Sequence, residues 1–254
     1  MGSVIAIAKR DFLSFFASMK GATIFFFFLI FMGFFFNSFV YTFVEMQQRA
    51  PMMGGQAPTL DQLLKALFYN LHFILLLVVP AVTMASFAEE KRAHTIRLLQ
   101  TAPVSSLQIV FGKFLASTVL LCAVLLASSL YPIFTVIYGN PDPGPVWTSY
   151  VGVLLLISSQ VAFGLWVSSM TKSQFMAFIF TMAGLFLLLI LNWIAPNITG
   201  TGWLESFFKY AASTTHLDVL FKGMITVADV TYFVCFTALF LFFTNVTIDS
   251  QRWR

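Results

Sequence analysis

The sequence predicts an all-α integral membrane protein: a bundle of six transmembrane helices in a single domain spanning residues 1–254. Three observations predict it. Of the 254 residues, 59% are hydrophobic and only 9% charged, with a mean hydropathy of +0.88, whereas soluble domains carry about 25% charged residues. Six apolar runs, 22–44, 67–87, 114–138, 148–169, 174–195 and 229–247, are each long enough to cross a membrane, which takes about 20 residues of helix. The basic residues are also distributed as membrane topology requires. With the N-terminus in the cytoplasm, the inside segments carry Lys9, Arg10, Lys20, Lys91, Arg92, Arg97, Lys113, Lys172, Arg252 and Arg254, against Arg49, Lys65, Lys209 and Lys222 outside. That asymmetry places both termini in the cytoplasm.

Residues 4–20 mix Ile5, Ile7, Phe12, Leu13, Phe15 and Phe16 with Lys9, Arg10, Asp11 and Lys20. An amphipathic helix of this kind lies along the lipid surface, a reading favoured over a frayed start to the first span. Residues 1–21 are thus expected to form a cytoplasmic interfacial helix. The first span is rich in phenylalanine, eight of the chain's 32 falling between Phe25 and Phe36, and suits a lipid-facing or subunit-contact helix. It is long enough to span, and no small-residue cleavage site follows it, so an anchor is expected rather than a cleaved signal peptide.

Residues 45–66 read as an outer loop, with breakers at Pro51, Gly54, Gly55 and Pro58. The second span starts with polar Tyr69, Asn70 and His72 and contains Pro80, which neighbouring helices can accommodate. Residues 88–101 then read as a short amphipathic helix, Ala93, Ile96 and Leu99 on one face and Glu90, His94 and Arg97 on another. Pro103 stops it. Ser105 and Gln108 fit a capping box for a helix running from Ser106 to Tyr138. At 1.5 Å per residue that helix is roughly 50 Å long, against a hydrocarbon core of about 30 Å. The third span should therefore project into the cytoplasm, and residues 88–113 form a charged elbow there. From periodicity alone, a docking handle and a plain solvated loop are both open.

The remaining elements are a Pro-rich outer turn at 140–145, a short inner turn near Thr171–Ser173, and an outer segment at 196–228. That segment holds breakers, then the apolar-rich stretches 203–210 and 217–221, too short to span. Short helices at, or dipping into, the outer face are expected. Cys122 and Cys235 lie in apolar runs and read as small buried residues.

The stretch Phe87-Ala-Glu-Glu-Lys-Arg-Ala-His-Thr-Ile-Arg-Leu-Leu-Gln-Thr-Ala-Pro103, continuing through Ser105, Gln108, Ile109, Val110, Gly112 and Lys113 to Ala116, resembles the signature that follows the second span in ABC-2 permeases. The likeness is strongest to the gliding-motility, GldF-like branch. Residues 9–16 are similar to that family's opening, and 213–233 to its segment before the last span. His94 stands where the family has Gly, and Arg97 where it has Glu.

The resemblance implies a type V exporter-like fold. It implies that Glu89, Glu90, Lys91, Arg92, His94, Thr95, Arg97, Leu98 and Leu99 form the coupling element that docks into a groove on an ABC ATPase dimer. It also implies a second permease copy or a paralogous permease, and a bacterial inner membrane. The charge reversal at Arg97 implies a correspondingly altered contact on the ATPase. The gliding-motility likeness keeps a second reading open, in which the ATPase stroke acts on a periplasmic auxiliary subunit and nothing crosses the membrane.

The chain lacks G-x-x-x-x-G-K-[ST], H-E-x-x-H and G-x-S-x-G. It is therefore expected to be no enzyme, with no cofactor or metal of its own and with ATP and Mg held by the partner ATPase. The scattered basic residues speak against nucleic acid. The span interiors are poor in ionisable residues, which argues against a proton-driven carrier, the third class considered. Ser158, Ser159 and Gln160 fall mid-span and are the best candidates for a substrate pathway, against helix–helix packing as their ordinary use.

Overall fold

A computed structural model describes residues 2–50, 57–93, 95, 104–139, 141–194 and 202–252. These form ten helices and no strand: α1 (Gly2–Ala17), α2 (Met19–Arg49), α3 (Leu60–Arg92), α4 (Ser106–Ser128), α5 (Leu130–Gly139), α6 (Pro143–Met170), α7 (Gln174–Ile194), α8 (Gly202–Ala211), α9 (Ser213–Phe221) and α10 (Val227–Arg252). Six stretches are long and apolar enough to cross a membrane: Gly21–Arg49, Leu60–Arg92, Ser106–Gly139, Pro143–Met170, Gln174–Asn192 and Val227–Gln251. Each overlaps one predicted span.

α1 and α2 are separated by a cap. Ser18 Oγ accepts from Gly21 N at 3.2 Å and donates to the Phe15 carbonyl at 2.7 Å, so the chain can turn there without stranding donors. α1 packs along the first turns of α4. A Cβ at Gly112 would sit 2.8 Å from the Ile7 side chain, so the two backbones approach this closely only with glycine at that point. Ile5, Leu13 and Phe16 stay exposed on α1, as a helix lying on lipid requires.

α3 begins at Leu60, earlier than the predicted 67, and runs without a break through Arg92. In its polar first turns Lys65 Nζ lies 2.6 Å from Asp218. Residues 88–92 are accordingly the last turn of α3 and not the start of a separate helix, since no breaker stands between Phe87 and Arg92. Ala93 N bonds Glu89 O at 2.9 Å and Thr95 N bonds Glu90 O at 3.0 Å, closing the turn.

The capping box forms as expected: Ser105 Oγ accepts from Gln108 N at 3.3 Å, and Ser105 N donates to Gln108 Oε1 at 3.1 Å. The third span breaks at Ser129, between α4 and α5. Pro132 has no N–H to offer the Ser128 carbonyl. The Ser128 and Ser129 hydroxyls turn back onto the Leu125 and Leu126 carbonyls, at 2.7 and 2.6 Å.

Burial sorts the spans into two shells. In their most apolar windows the second, third and fourth spans are 67%, 56% and 67% buried, whereas the first, fifth and sixth are 11%, 22% and 22% buried. α3, α4 and α6 thus form the centre, built on Val79, Leu121, Val153, Ile157, Val161 and Leu165. At Gly164 an added Cβ would overlap the Thr83 side chain, so α3 and α6 cross in direct contact. Phe26, Phe27, Phe31 and Phe34 are exposed on α2, as are Phe175, Phe180 and Leu187 on α7. Cys122 is half-buried, and Cys235 is exposed on α10. The expectation of two buried cysteines fails for Cys235 because its helix belongs to the outer shell.

The short helices expected before the sixth span are α8 and α9. α9 packs on α6 and α7. His216 Nδ1 lies 2.6 Å from Asp229 Oδ1 and its Nε2 lies 3.0 Å from the Tyr210 carbonyl. Tyr232 stacks on the imidazole at 4.1 Å and donates to the Ala211 carbonyl at 2.8 Å. Gly223, at φ +89° and against Pro145, turns the chain into α10.

Candidate functional site

One end of the bundle, its base, gathers α1, the last turn of α3, the first turn of α4, the α6–α7 turn and the last turns of α10. Four charged residues meet there. Lys113 Nζ, on α4, lies 2.8 Å from Glu90 Oε1 on α3 and 3.3 Å from Asp11 Oδ2 on α1. Arg10 reaches Asp11 at 2.8 Å and Glu90 at 3.2 Å. Lys113 is only 3% exposed and Glu90 16%, so the central pair is shielded from water and the outer pair is not. Partial burial alone would lower the Arg10 pKa. Hydrogen bonding to Asp11 and the charges of Asp11 and Glu90 outweigh it and raise the pKa above the ordinary arginine value. The Lys113 ammonium also lies 5.2 Å from the centre of the Phe87 ring.

Next to this node, Lys91 is buried and donates to the Ser169 carbonyl, which also accepts from Gln251 Nε2 at 3.3 Å. Ser168 Oγ accepts from Phe87 N and Ala88 N, both at 3.2 Å, and donates to Met84 O at 3.1 Å. An α6 hydroxyl thereby contacts three backbone groups in the last turns of α3. Ser106 Oγ bonds Asp249 Oδ1 at 2.6 Å, joining α4 to α10. Five helices are therefore tied to one another by polar side chains where the chain leaves α3 and enters α4.

The expected coupling residues occupy distinct environments here. Glu89 and Arg92 are exposed on the last turn of α3. Glu90 and Lys91 point into the base and hold it together. Thr95 Oγ1 donates to the Glu90 carbonyl at 3.3 Å. His94, Arg97, Leu98 and Leu99 lie outside the described residues. Sequence reading missed Arg10, Asp11, Lys113, Ser168, Ser169 and Asp249. A signal existed for Lys113, since a lone lysine entering an apolar run needs a carboxylate partner.

The mid-span candidates are also distributed. Ser158 is half-buried and donates to the Leu154 carbonyl of its own helix at 2.9 Å. Ser159 and Gln160 are buried and line a cavity of about 10 Å³ with Ser213 and Tyr232. That is room for about one water. Gln160 Oε1 finds no hydrogen-bond partner among the described residues.

At the opposite end, Asp218 accepts from Tyr69 OH at 2.6 Å and pairs with Lys65 at 2.6 Å and Lys222 at 2.5 Å. Partial burial would raise its pKa, but hydrogen bonds from Lys222, Lys65 and Tyr69 prevail and hold the carboxyl well below the usual carboxylate range. Among the described residues, no three His, Cys, Asp or Glu side chains converge into a group that could hold a metal.

In comparison with known families, the model described as "ABC-2 family transporter protein" matches residues 5–248. No curated protein matches the chain.

Proposed function

We propose that this chain, which belongs to the ABC-2 transporter family as a membrane permease subunit of an ABC transporter, exports its cargo by coupling to an ATPase on a separate chain. The base faces the cytoplasm, and the partner ATPase docks on the elbow formed by residues 88–113. The observation that carries the reading is the root of that elbow. Glu90 and Lys91 stand side by side on the last turn of α3, one bound to α1 and α4, the other to α6. A push on the elbow therefore moves α1, α3, α4 and α6 together and cannot be absorbed by one fraying helix end. Energetic coupling needs such an element, one whose position both sites bias. Exposed Arg92 lies one residue beyond Lys91, at the surface the partner meets.

Two copies, or one copy and a paralogous permease, face each other across the pathway, and a bacterial inner membrane is the setting. Purification of the tagged chain in mild detergent tests the reading. A Walker-motif ATPase should accompany it and be lost when residues 89–99 are replaced. A folded chain that purifies alone, with no ATPase activity, sinks the proposal.

The resemblance of residues 87–116 to the gliding-motility branch supports a second use of the same stroke, on a periplasmic partner. Trp203, Phe207 and Tyr210 are exposed on α8, an aromatic face suited to such a contact. If their replacement by serine left an outer partner bound and the motor activity normal, this second reading would be lost.

A further inference from the structure

α8 and α9 meet at a turn that lies deep in the bundle. Ser213, the first residue of α9, lines a small cavity with Ser159 and Gln160 of α6 and Tyr232 of α10. Gln160 stands ten residues from Met170 and seventeen from Pro143, about 15 Å and about 26 Å from the two ends of α6. The turn therefore reaches membrane depth, where backbone polar groups must find partners inside the protein. Several do. Ala212 N donates to the Phe208 carbonyl at 3.1 Å, Tyr232 OH donates to the Ala211 carbonyl at 2.8 Å, and Thr215 N donates to the Ala212 carbonyl at 3.2 Å.

Two features of the cavity call for a further partner. The N-cap of α9 is Ala212, whose side chain has no oxygen to accept from the first-turn N–H groups. On the α6 side, Gln160 is 3% exposed and its Oε1 has no hydrogen-bond partner among the described residues. Leaving a buried carbonyl unpaired is costly. An uncapped helix start and a stranded acceptor thus border one cavity of about 10 Å³, the room that one water needs. We propose that this cavity binds a single water molecule, which bridges α6 to the start of α9. The water donates one O–H to Gln160 Oε1. Its second O–H goes to Ser159 Oγ or Tyr232 OH. Each of these spends its own proton elsewhere, on the Leu156 carbonyl at 2.8 Å and on the Ala211 carbonyl, and so is free to accept. The water oxygen accepts from the first turn of α9. Three bonds are usual for a buried water. A cation is disfavoured, because no carboxylate is among the described residues lining the cavity and the N-terminal end of α9 is the positive end of its dipole. The water gives Gln160 a structural use, as the partner of the α8–α9 turn. The proposal is independent of ATPase coupling and stands or falls separately from it.

The test is hydroxyl-radical labelling of the full chain in detergent by a short X-ray pulse, read residue by residue by mass spectrometry. Radicals form on a bound water itself and oxidise the side chains that touch it. Leu156 and Leu185 line the cavity at 1% and 2% exposure, while Leu121 and Leu165, equally buried, do not line it. Label is expected on Leu156 and Leu185 and not on Leu121 or Leu165. Gln160→Leu and Gln160→Met remove the acceptor with little change in volume, and each should lose the label at both positions. Circular dichroism confirms that each variant is folded. Labelling of Leu156 and Leu185 no greater than that of Leu121 and Leu165 in the parent chain would show a dry cavity and overturn the proposal. Label that persists in either folded variant would also overturn it, since the water would then not be held by Gln160.

Discussion

Replacing Lys113 by methionine keeps the length of the side chain and removes its charge from the centre of the base. Glu90 Oε1, 2.8 Å from the ammonium, and Asp11 Oδ2, 3.3 Å away, then share only Arg10. Removing one partner of a buried pair costs about 3–5 kcal/mol, because the other charge is left without compensation. Glu90 is 16% exposed and Asp11 25%, so water screens part of that cost and the low end, about 3 kcal/mol, applies. The lost contact with the Phe87 ring adds about 0.5–1 kcal/mol. At roughly 2–4 °C per kcal/mol for a chain of this size, the unfolding midpoint in detergent should fall by about 7–16 °C. The double variant Lys113→Met with Glu90→Gln removes both members of the central pair. It should be less destabilised than the two single variants summed, by about 1–3 kcal/mol. The assay is thermal unfolding followed by circular dichroism on the four proteins of the cycle. A Lys113→Met midpoint equal to the parent's, together with simple additivity in the double variant, would refute the account of the base as a shielded ionic node.

Other substitutions probe neighbouring contacts. Ser168→Ala deletes the hydroxyl that bonds Phe87 N, Ala88 N and Met84 O. It should cost about 1–2 kcal/mol in the same melt, with faster amide exchange at residues 87 and 88. Gly164→Val forces a side chain onto Thr83 at the α3–α6 crossing and should cost about 1–3 kcal/mol, relieved in part by Thr83→Ala. Asp218 has a folded pKa held below its unfolded value by Lys222, Lys65 and Tyr69. Its stabilising contribution is therefore complete above about pH 4, the unfolded carboxylate value, and declines as pH falls toward the lowered folded value. The melting temperature of Asp218→Asn should accordingly lie below the parent's at neutral pH, the difference shrinking at acid pH. A gap independent of pH would show that the carboxylate is not held by those partners.

How far the sequence reveals this molecule depends on the range of each interaction. Spans declare themselves through composition. The Ser105–Gln108 box is visible because its partners are three residues apart. The break at Ser129 was equally local, and Pro132 was its signal, but the apolar run around it outweighed one proline. The periodicity of residues 88–101 predicts a separate helix beginning at 88, whereas 88–92 continue α3. Charge at the end of a span does not end a helix when a partner waits in space. The base itself was not legible. Arg10 and Glu90 are 80 residues apart, Lys113 and Asp11 102 apart, and Ser106 and Asp249 143 apart. No periodicity within one helix can announce such pairings. The resemblance places Glu89, Glu90, Lys91 and Arg92 alike in the coupling element. In the fold Glu90 and Lys91 face inward, whereas Glu89 and Arg92 are exposed.

The central claim is that force enters through the elbow and is carried by the base. It is tested most directly by reversing Arg92 and Arg97 together to glutamate in the full permease with its co-purifying ATPase. Arg92 is exposed at the end of α3, so its reversal should leave the melting temperature unchanged. ATPase association should weaken by about tenfold or more, as the loss of more than about 1.4 kcal/mol of contact requires, and hydrolysis should cease to respond to the permease. A charge-reversed permease that melts as the parent does, binds the ATPase as tightly and drives hydrolysis at the same rate would contradict the account.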